Sequence, residues 1–299
     1  MNLKQIITKV TDKSKFSDLK AFINFCDDYL KFIADNLQAV IVSQNENHYI
    51  FYQYAQEGNF QITRPINSNL MYDKKQFTDA SKEFLQILNT VKKINKHDKP
   101  VREIINNTTY TVQQSIGAAL DGLPAGNSNT ARKLNGDLFE RFIRLIITEI
   151  GIDCRSGVVH IPVMLNNEKA FTMNYQHDLI IEKNKEIKVI GSVKTSSKDR
   201  LDKIFIDKFL YNKLTETTVP HIAIFLNDVQ RKNTRQKNKY GIDTTFLPGH
   251  FKGYTVKLNP LDGVYYCDIR PNMQTEEILK DHIKTFDNLL IEDIWEFQK

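Results

Sequence analysis

The sequence predicts an α/β fold: a mixed central β-sheet flanked by helices, preceded by a mainly helical N-terminal region. Three observations carry this. Apolar residues recur at helical spacing through much of residues 1–120. A stretch rich in Gly, Pro, Asn and Ser, LDGLPAGNSNT at 120–130, then interrupts the pattern. Beyond it the order becomes helix, three strands, helix, strand, and a strand–helix–strand unit ending in a buried strand implies a partly parallel sheet covered by helices. The expected division is a helix-rich region over 1–125 and an α/β core over 126–299.

The elements follow in order. Residues 16–40 place Leu19, Phe22, Ile23, Phe25, Tyr29, Leu30 and Phe32 at helical spacing. Residues 39–60, containing HYIFYQY, suggest two strands around a polar turn at 44–47. Helices are expected over 77–91 and 101–119. After the 120–130 boundary, 136–150 is a helix whose apolar face centres on Phe139, Phe142, Ile143, Ile146 and Ile150. Strands are expected over 158–165, 171–182 and 187–194. Residues 201–214 form an amphipathic helix with Leu201, Ile204, Phe205 and Phe209 on one face, and 221–226 is a short apolar run suited to a buried strand. The eight aromatic residues between Phe246 and Phe297 suit core packing, with Trp295 anchoring a C-terminal helix.

Composition narrows the class. No apolar run spans a bilayer, and the N-terminus MNLKQIITKVTDKSKF lacks the apolar block of a secretory signal, so the cytoplasm is the expected compartment. Three widely spaced cysteines, Cys26, Cys154 and Cys267, form neither a metal-ligand pair nor a disulfide framework. Net charge is +5, but residues 181–240 hold 14 Lys or Arg against 7 Asp or Glu, and the remainder is near neutral. A concentrated basic zone is an electrostatic footprint for a polyanion. The competing reading is a lysine-rich solvated surface.

The segment HDLIIEKNKEIKVIGSVKTSSKDR, residues 177–200, carries the chemistry. The turn EKNKE lets two strands pair as a hairpin, with Asp178 opening the first and Lys194 near the end of the second. Alternation puts Ser192 and Lys194 on one face and Val189 and Val193 on the other. An oxygen ligand such as Asp178 suits a hard divalent cation. A bound metal would activate water and polarise a phosphate, and Lys194 would orient that water or stabilise charge on phosphorus. A second carboxylate comes from the 136–150 helix. At about 100° per residue, Glu140 lies at the edge of the apolar stripe and Asp137 farther out, as a solvated first-turn acid. Ser197 or Asp199 is placed to cap the helix after the lysine strand, and Lys198 and Arg200 at its start suit a phosphate.

These residues resemble the PD-(D/E)XK nuclease superfamily, and more narrowly type II restriction endonucleases. In one subgroup the acid two residues before the lysine is replaced by a small residue. Its lysine strand continues as S-x-K-T-x-x-K-D-R, and its glutamate lies on a preceding helix carrying R-K-x-x-G-x-x-x-E. Here the helix has Arg132, Lys133, Gly136 and Glu140, and the strand has Ser192, Lys194, Thr195, Lys198, Asp199 and Arg200. His177 stands where the superfamily name has proline, and Ser192 leaves the usual second acid position empty, so the metal site depends on Glu140. The resemblance spans residues 130 to about 230. It implies an active site of Glu140, Asp178 and Lys194, with Mg²⁺ held by Asp178 and Glu140. It also implies that Arg132, Lys133, Lys198 and Arg200 approach double-stranded DNA, that the enzyme is a homodimer, and that a cognate DNA methyltransferase acts alongside it.

Further along, NDVQRKNTRQKNKYG sets Arg231, Lys232, Arg235, Lys237 and Lys239 just after a strand, where a basic loop could follow a DNA groove; a solvated loop is the alternative. His160, His177, His221, His250 and His282 show no metal spacing and are expected to be structural or on the surface. The leading expectation is a Mg²⁺-dependent, sequence-specific endonuclease. A repair or junction nuclease on the same core, and a non-catalytic nucleic-acid-binding module, are the alternatives.

Overall fold

The order of elements in the second half of the chain builds the predicted mixed sheet, here seen in a computed structural model that describes residues 1–56, 59–198, 200–232 and 239–299. In chain order the first elements are α1 (Leu3–Thr11), α2 (Leu19–Asn36), β1 (Ala39–Val42), β2 (Tyr49–Gln56), β3 (Asn59–Ile62), β4 (Ile66–Asn67), α3 (Lys74–Thr90) and α4 (Lys99–Leu120). Then come α5 (Ser128–Glu149), β5 (Asp153–Leu165), β6 (Glu168–Lys183), β7 (Glu186–Ser196), α6 (Leu201–Thr215), β8 (His221–Asn227), β9 (Val229–Arg231) and β10 (Ile242–Thr244). The chain continues through α7 (Pro248–Lys257), β11 (Gly263–Tyr266), α8 (Pro271–Thr275), α9 (Glu277–His282) and β12 (Ile283–Thr285), and ends in helical turns to Phe297.

Capping residues mark the N-terminal helices. Asn2 and Gln5 form a capping box on α1, Asp73 and Gln76 form one on α3, and Asp18 accepts the Ala21 N–H at the start of α2. Asp98 caps α4, whose first turn carries a proline that needs no donor there. The region holds more strand than its sequence suggests: β1, β2 and β3 form an antiparallel sheet, with β4 also on β2. α4 is buried along most of its length, polar Thr108, Thr109, Gln113 and Gln114 included.

The second sheet has the order β12-β11-β8-β7-β6-β5. β5, β6 and β7 form an antiparallel meander with two-residue turns. Asn166 and Asn167, then Asn184 and Lys185, take positive φ there, a conformation that asparagine tolerates well and that matches strand twist. From β7 onward the strands are parallel, and α6 supplies the crossover to β8. β8 is buried at every position, which is why it is a continuous apolar run.

The sheet is packed on both faces. Ile181, Val189, Val193, Ile222 and Ile224 join a cluster with Phe139, Phe142, Ile143 and Ile146 of α5, and the same cluster extends through α1, α2, α3 and α4. Phe22 of α2 stacks on Phe142 of α5 with ring centroids 4.8 Å apart; burying a ring of that size is worth about 2–3 kcal/mol. Residues 121–127 are thus a turn between α4 and α5, and one hydrophobic cluster crosses it. The other face packs Ala223, Phe225 and Val264 against Leu201, Ile204 and Phe205 of α6 and Phe251 of α7. Phe209, expected on this apolar face, is exposed. Lys208 is buried instead, its ammonium donating to Pro260 O at 2.5 Å and to Asp262 Oδ2 at 2.7 Å. The expected aromatic core is present: Phe246, Phe251, Tyr265, Tyr266 and Phe286 are buried, and Trp295 donates from its indole to Leu290 O. The three cysteines are free thiols. Among the described residues no helix is long and apolar enough to cross a membrane.

A candidate active site where the β6–β7 ladder ends

Backbone pairing between β6 and β7 stops at Leu179 opposite Gly191. Gly191 allows the close approach there. A Cβ on it would stand 2.7 Å from Leu179 Cδ2 and 3.1 Å from Ile222 Cγ1. Beyond this pair the ladder bond is replaced by a side chain: Val193 N–H donates to Asp178 Oδ2 at 2.9 Å. Asp178 does not open its strand, as the sequence predicts. It lies inside the long β6 instead, at the point where β6 parts from β7.

Past that point β7 keeps β8 as neighbour, with Lys194 beside Phe225, but has lost β6. The open edge lets the Lys194 ammonium meet acids from two elements. It bonds Asp178 Oδ2 of β6, and donates to Glu140 Oε1 of α5 at 3.2 Å. The side chains of Lys194, Glu140 and Asp178 are 28%, 25% and 16% exposed, so the group is half-buried but open to a ligand. Burial raises the Glu140 carboxyl above its ordinary value, and the negative charge of Asp178 adds to this. The Lys194 ammonium opposes both.

Two converging carboxylates supply hard oxygen donors. Among the described residues no cluster of three or more His, Cys, Asp or Glu is placed to hold a metal. A two-carboxylate set suits Mg²⁺, which keeps several waters and takes the rest of its octahedron from substrate phosphates. The charge balance agrees. One ammonium faces two acids, leaving a net negative site that a cation would neutralise.

The other predicted residues are placed as follows. Arg132 and Lys133 are exposed near the start of α5, Arg132 within 3.2 Å of Asn129 Oδ1. Eight residues of helix, about 12 Å along the axis, separate Arg132 from Glu140. Asp137 is not the solvated acid expected. It accepts from Lys13 Nζ at 2.7 Å, tying α5 to the N-terminal region. Arg200 is the residue before α6, exposed, and among the described residues no side chain caps that helix. Ser197 instead bonds Thr245 Oγ1 at 3.1 Å, and Asp199 lies outside the described residues. Lys198 donates to Gln230 Oε1 at 3.1 Å. Arg231 donates to Ile62 O at 3.2 Å, and Lys232 stands 3.9 Å from Asp243. Arg235 and Lys237 fall outside the described residues.

A cleft of 240 Å³ opens beside the cluster, lined by His177, Asp178, Ser192, Lys194, Arg200 and Lys203 among others. His177 and His221 are buried within an aromatic group with Tyr175 and Tyr211. Burial lowers both imidazoles, His221 to about 4. Sequence reasoning misses Gln230 and Thr245, which flank the exit of β7. No local pattern marks either, because each meets that exit only through the tertiary fold. It also misses Asn45, whose side chain bonds both the N–H and the C=O of Ile242 at 2.9 Å and fixes β10 to the N-terminal sheet.

No family model and no curated protein sequence matches the chain. Among solved structures, the type IIP restriction endonuclease Kpn2I superposes with a TM-score of 0.73 at 18% identity, over 99% of this chain and 97% of that one. The restriction endonuclease PspGI in complex with substrate DNA gives 0.41 at 13% identity, covering 74% and 92%. The AgeI–DNA complex gives 0.38 at 10%, covering 73% and 86%. The chain shares the fold of Kpn2I over essentially its whole length.

Proposed function

We propose that this protein is a Mg²⁺-dependent, sequence-specific double-strand DNA endonuclease of the type II restriction kind. The observation that carries this is the convergence of Glu140, Asp178 and Lys194, from three different elements, where β6 parts from β7 within a mixed sheet. The fold shared with Kpn2I, described as a type IIP restriction endonuclease, supports it.

In this reading Asp178 and Glu140 hold the metal. Mg²⁺ bound there would lower the pKa of a coordinated water and polarise the scissile phosphate. Val193 N–H and Lys194 both bond Oδ2 of Asp178 and hold it in place, and among the described residues its Oδ1 accepts no hydrogen bond. Lys194 donates to the attacking water or to a phosphate oxygen, and its charge stabilises the negative charge that grows on the phosphoryl oxygens. Val193, buried against α5, fixes the backbone from which Lys194 projects. Arg132, Lys133, Lys198, Arg200, Arg231, Lys232 and Arg235 are assigned to DNA, mostly to phosphates that set register. One such centre per chain and two strands to cut favour a homodimer on a palindromic site. A cognate methyltransferase would protect the host DNA.

The test is digestion of a plasmid of known sequence with Mg²⁺ and in excess chelator, followed by mapping of the ends. Ends at one fixed sequence, lost in chelator, are expected. Full activity in chelator would refute the metal mechanism. Cutting that follows DNA shape would indicate a repair or junction nuclease, and tight binding with no nick would indicate a binding module.

A further inference from the structure

The exit of β7 opens onto a second recess, of 210 Å³, lined by Ser197, Lys198, Arg200, Asp202, Gln230 and Thr244 among others. Arg200 also lines the cleft at Lys194, so the two spaces adjoin. A cradle built only for phosphate presents donors. This lining mixes an ammonium, a guanidinium, an amide, hydroxyls and a carboxylate. Such a set matches the edge of a base, which offers both donors and acceptors.

Gln230 is the best-defined member. It sits in β9, opposite Asp243 of β10. Its neighbour Val229 is buried with Tyr49, Phe51 and Ile242, which anchors the strand. Thr245 closes the frame, bonding Ser196 Oγ and Ser197 Oγ at 3.1 Å and donating to Asp228 O at 2.8 Å. The side chain is oriented as well as placed. Lys198 Nζ stands 3.1 Å from Gln230 Oε1. An ammonium has donors and no acceptor, so the amide must turn its oxygen toward Lys198. Among the described residues Nε2 has no hydrogen-bond partner, so its two N–H donors face the recess for a ligand.

We propose that Gln230 is a base-reading residue, donating from Nε2 to the acceptor edge of a purine in the major groove: N7 of either purine, and O6 where the base is guanine. This rests on the reading of the chain as a nuclease that recognises a sequence. Lys198 acts as the positioning partner that selects which end of the amide faces the DNA.

The experiment is selection from a pool of randomised duplexes, with Ca²⁺ in place of Mg²⁺, by the full-length wild type and by Q230E and Q230A. Q230E keeps an oxygen for Lys198 but removes both donors. One purine position in the enriched site should lose its preference in both variants while the other positions keep theirs. Affinity for the wild-type site should fall about 5- to 150-fold, the range for one lost base contact. Thermal unfolding of each variant reports folding separately. If the variants enrich the wild-type site with every position unchanged, the assignment of Gln230 is wrong and the nuclease reading stands. An equal fall in affinity for all sequences, as for a phosphate contact, also overturns the assignment of Gln230 and leaves the nuclease reading intact. A wild type that enriches no sequence overturns both.

Discussion

Removing the charge of Lys194 should do two separable things. In Lys194→Met the ammonium that bonds both Glu140 and Asp178 is lost while most of the side-chain volume stays. The two carboxylates, left facing each other across the vacated ammonium, would repel by about 4 kcal/mol at a separation of about 4–5 Å and an effective dielectric of 20. Each is partly exposed, so solvent screening cuts this to about 1–2 kcal/mol. With an unfolding entropy of about 2.1 cal/mol/K per residue, that is a drop in Tm of about 2–3 °C. The drop should appear in chelator and vanish in Mg²⁺, because a cation bound between the acids would replace the lost charge. Saturation at 100 times Kd would add about 2.7 kcal/mol. Glu140→Gln in the Lys194→Met background should also recover the loss, a coupling that a double-mutant cycle isolates. Cleavage should fall by at least about 10²–10³-fold under every condition, since Mg²⁺ restores stability but not the donor. Calorimetry with and without chelator, beside a plasmid assay, tests both halves. A variant as stable as wild type in chelator and indifferent to Mg²⁺ would show that the acids do not share a cation site. Wild-type cutting by Lys194→Met would remove Lys194 from the chemistry.

Other consequences can be measured in the same way. Asp178→Asn keeps an oxygen for the Val193 N–H but loses the charge, so it and Glu140→Ala should abolish cutting while folding and DNA binding persist; retained cleavage in either would sink that residue's assignment. Neutralising Arg231 and Lys232 should weaken binding to all duplexes alike and reduce the salt slope by about 0.9 per lost phosphate contact, whereas Arg200→Ala should reduce discrimination between the preferred site and single-base variants by about 1–3 kcal/mol. Titrations at several salt concentrations separate the two. Asp228 is buried and raised to about 7, chiefly by burial, with Arg270 opposing. A raised acid is penalised once ionised, so stability should decline as pH climbs from about 4 through 7. Asp228→Asn should therefore raise Tm at pH 8 and leave it unchanged near pH 4, with a ceiling of about 4 kcal/mol; equal effects at both pH values would contradict the assignment. His221, lowered to about 4, is buried neutral. It should lose stability as pH falls from 6.5 toward 4, and His221→Phe should flatten that limb of the Tm profile.

Local periodicity determined much of this protein. The apolar stripe of α5, the unbroken run of β8 and the tight turn at Asn184 are features of neighbouring residues, so the sheet class and the order of its first four core strands were legible without a fold. The proximity of Glu140, Asp178 and Lys194 was legible only as a pattern along the chain. What brings the three together as a candidate site is where the β6–β7 ladder ends, and that depends on Leu179, Gly191 and Ile222 packing together across three strands. Amphipathic spacing could not show that Phe209 stays outside while Lys208 is buried. Asp262, which pairs with Lys208, comes from a loop 54 residues away. Nor could composition show that Asp137 pairs with Lys13, or that Gln230 meets Lys198, contacts spanning 124 and 32 residues. Side chains distant in sequence share no period, and their distances are set only when the helices and strands that carry them bury their apolar faces against one another.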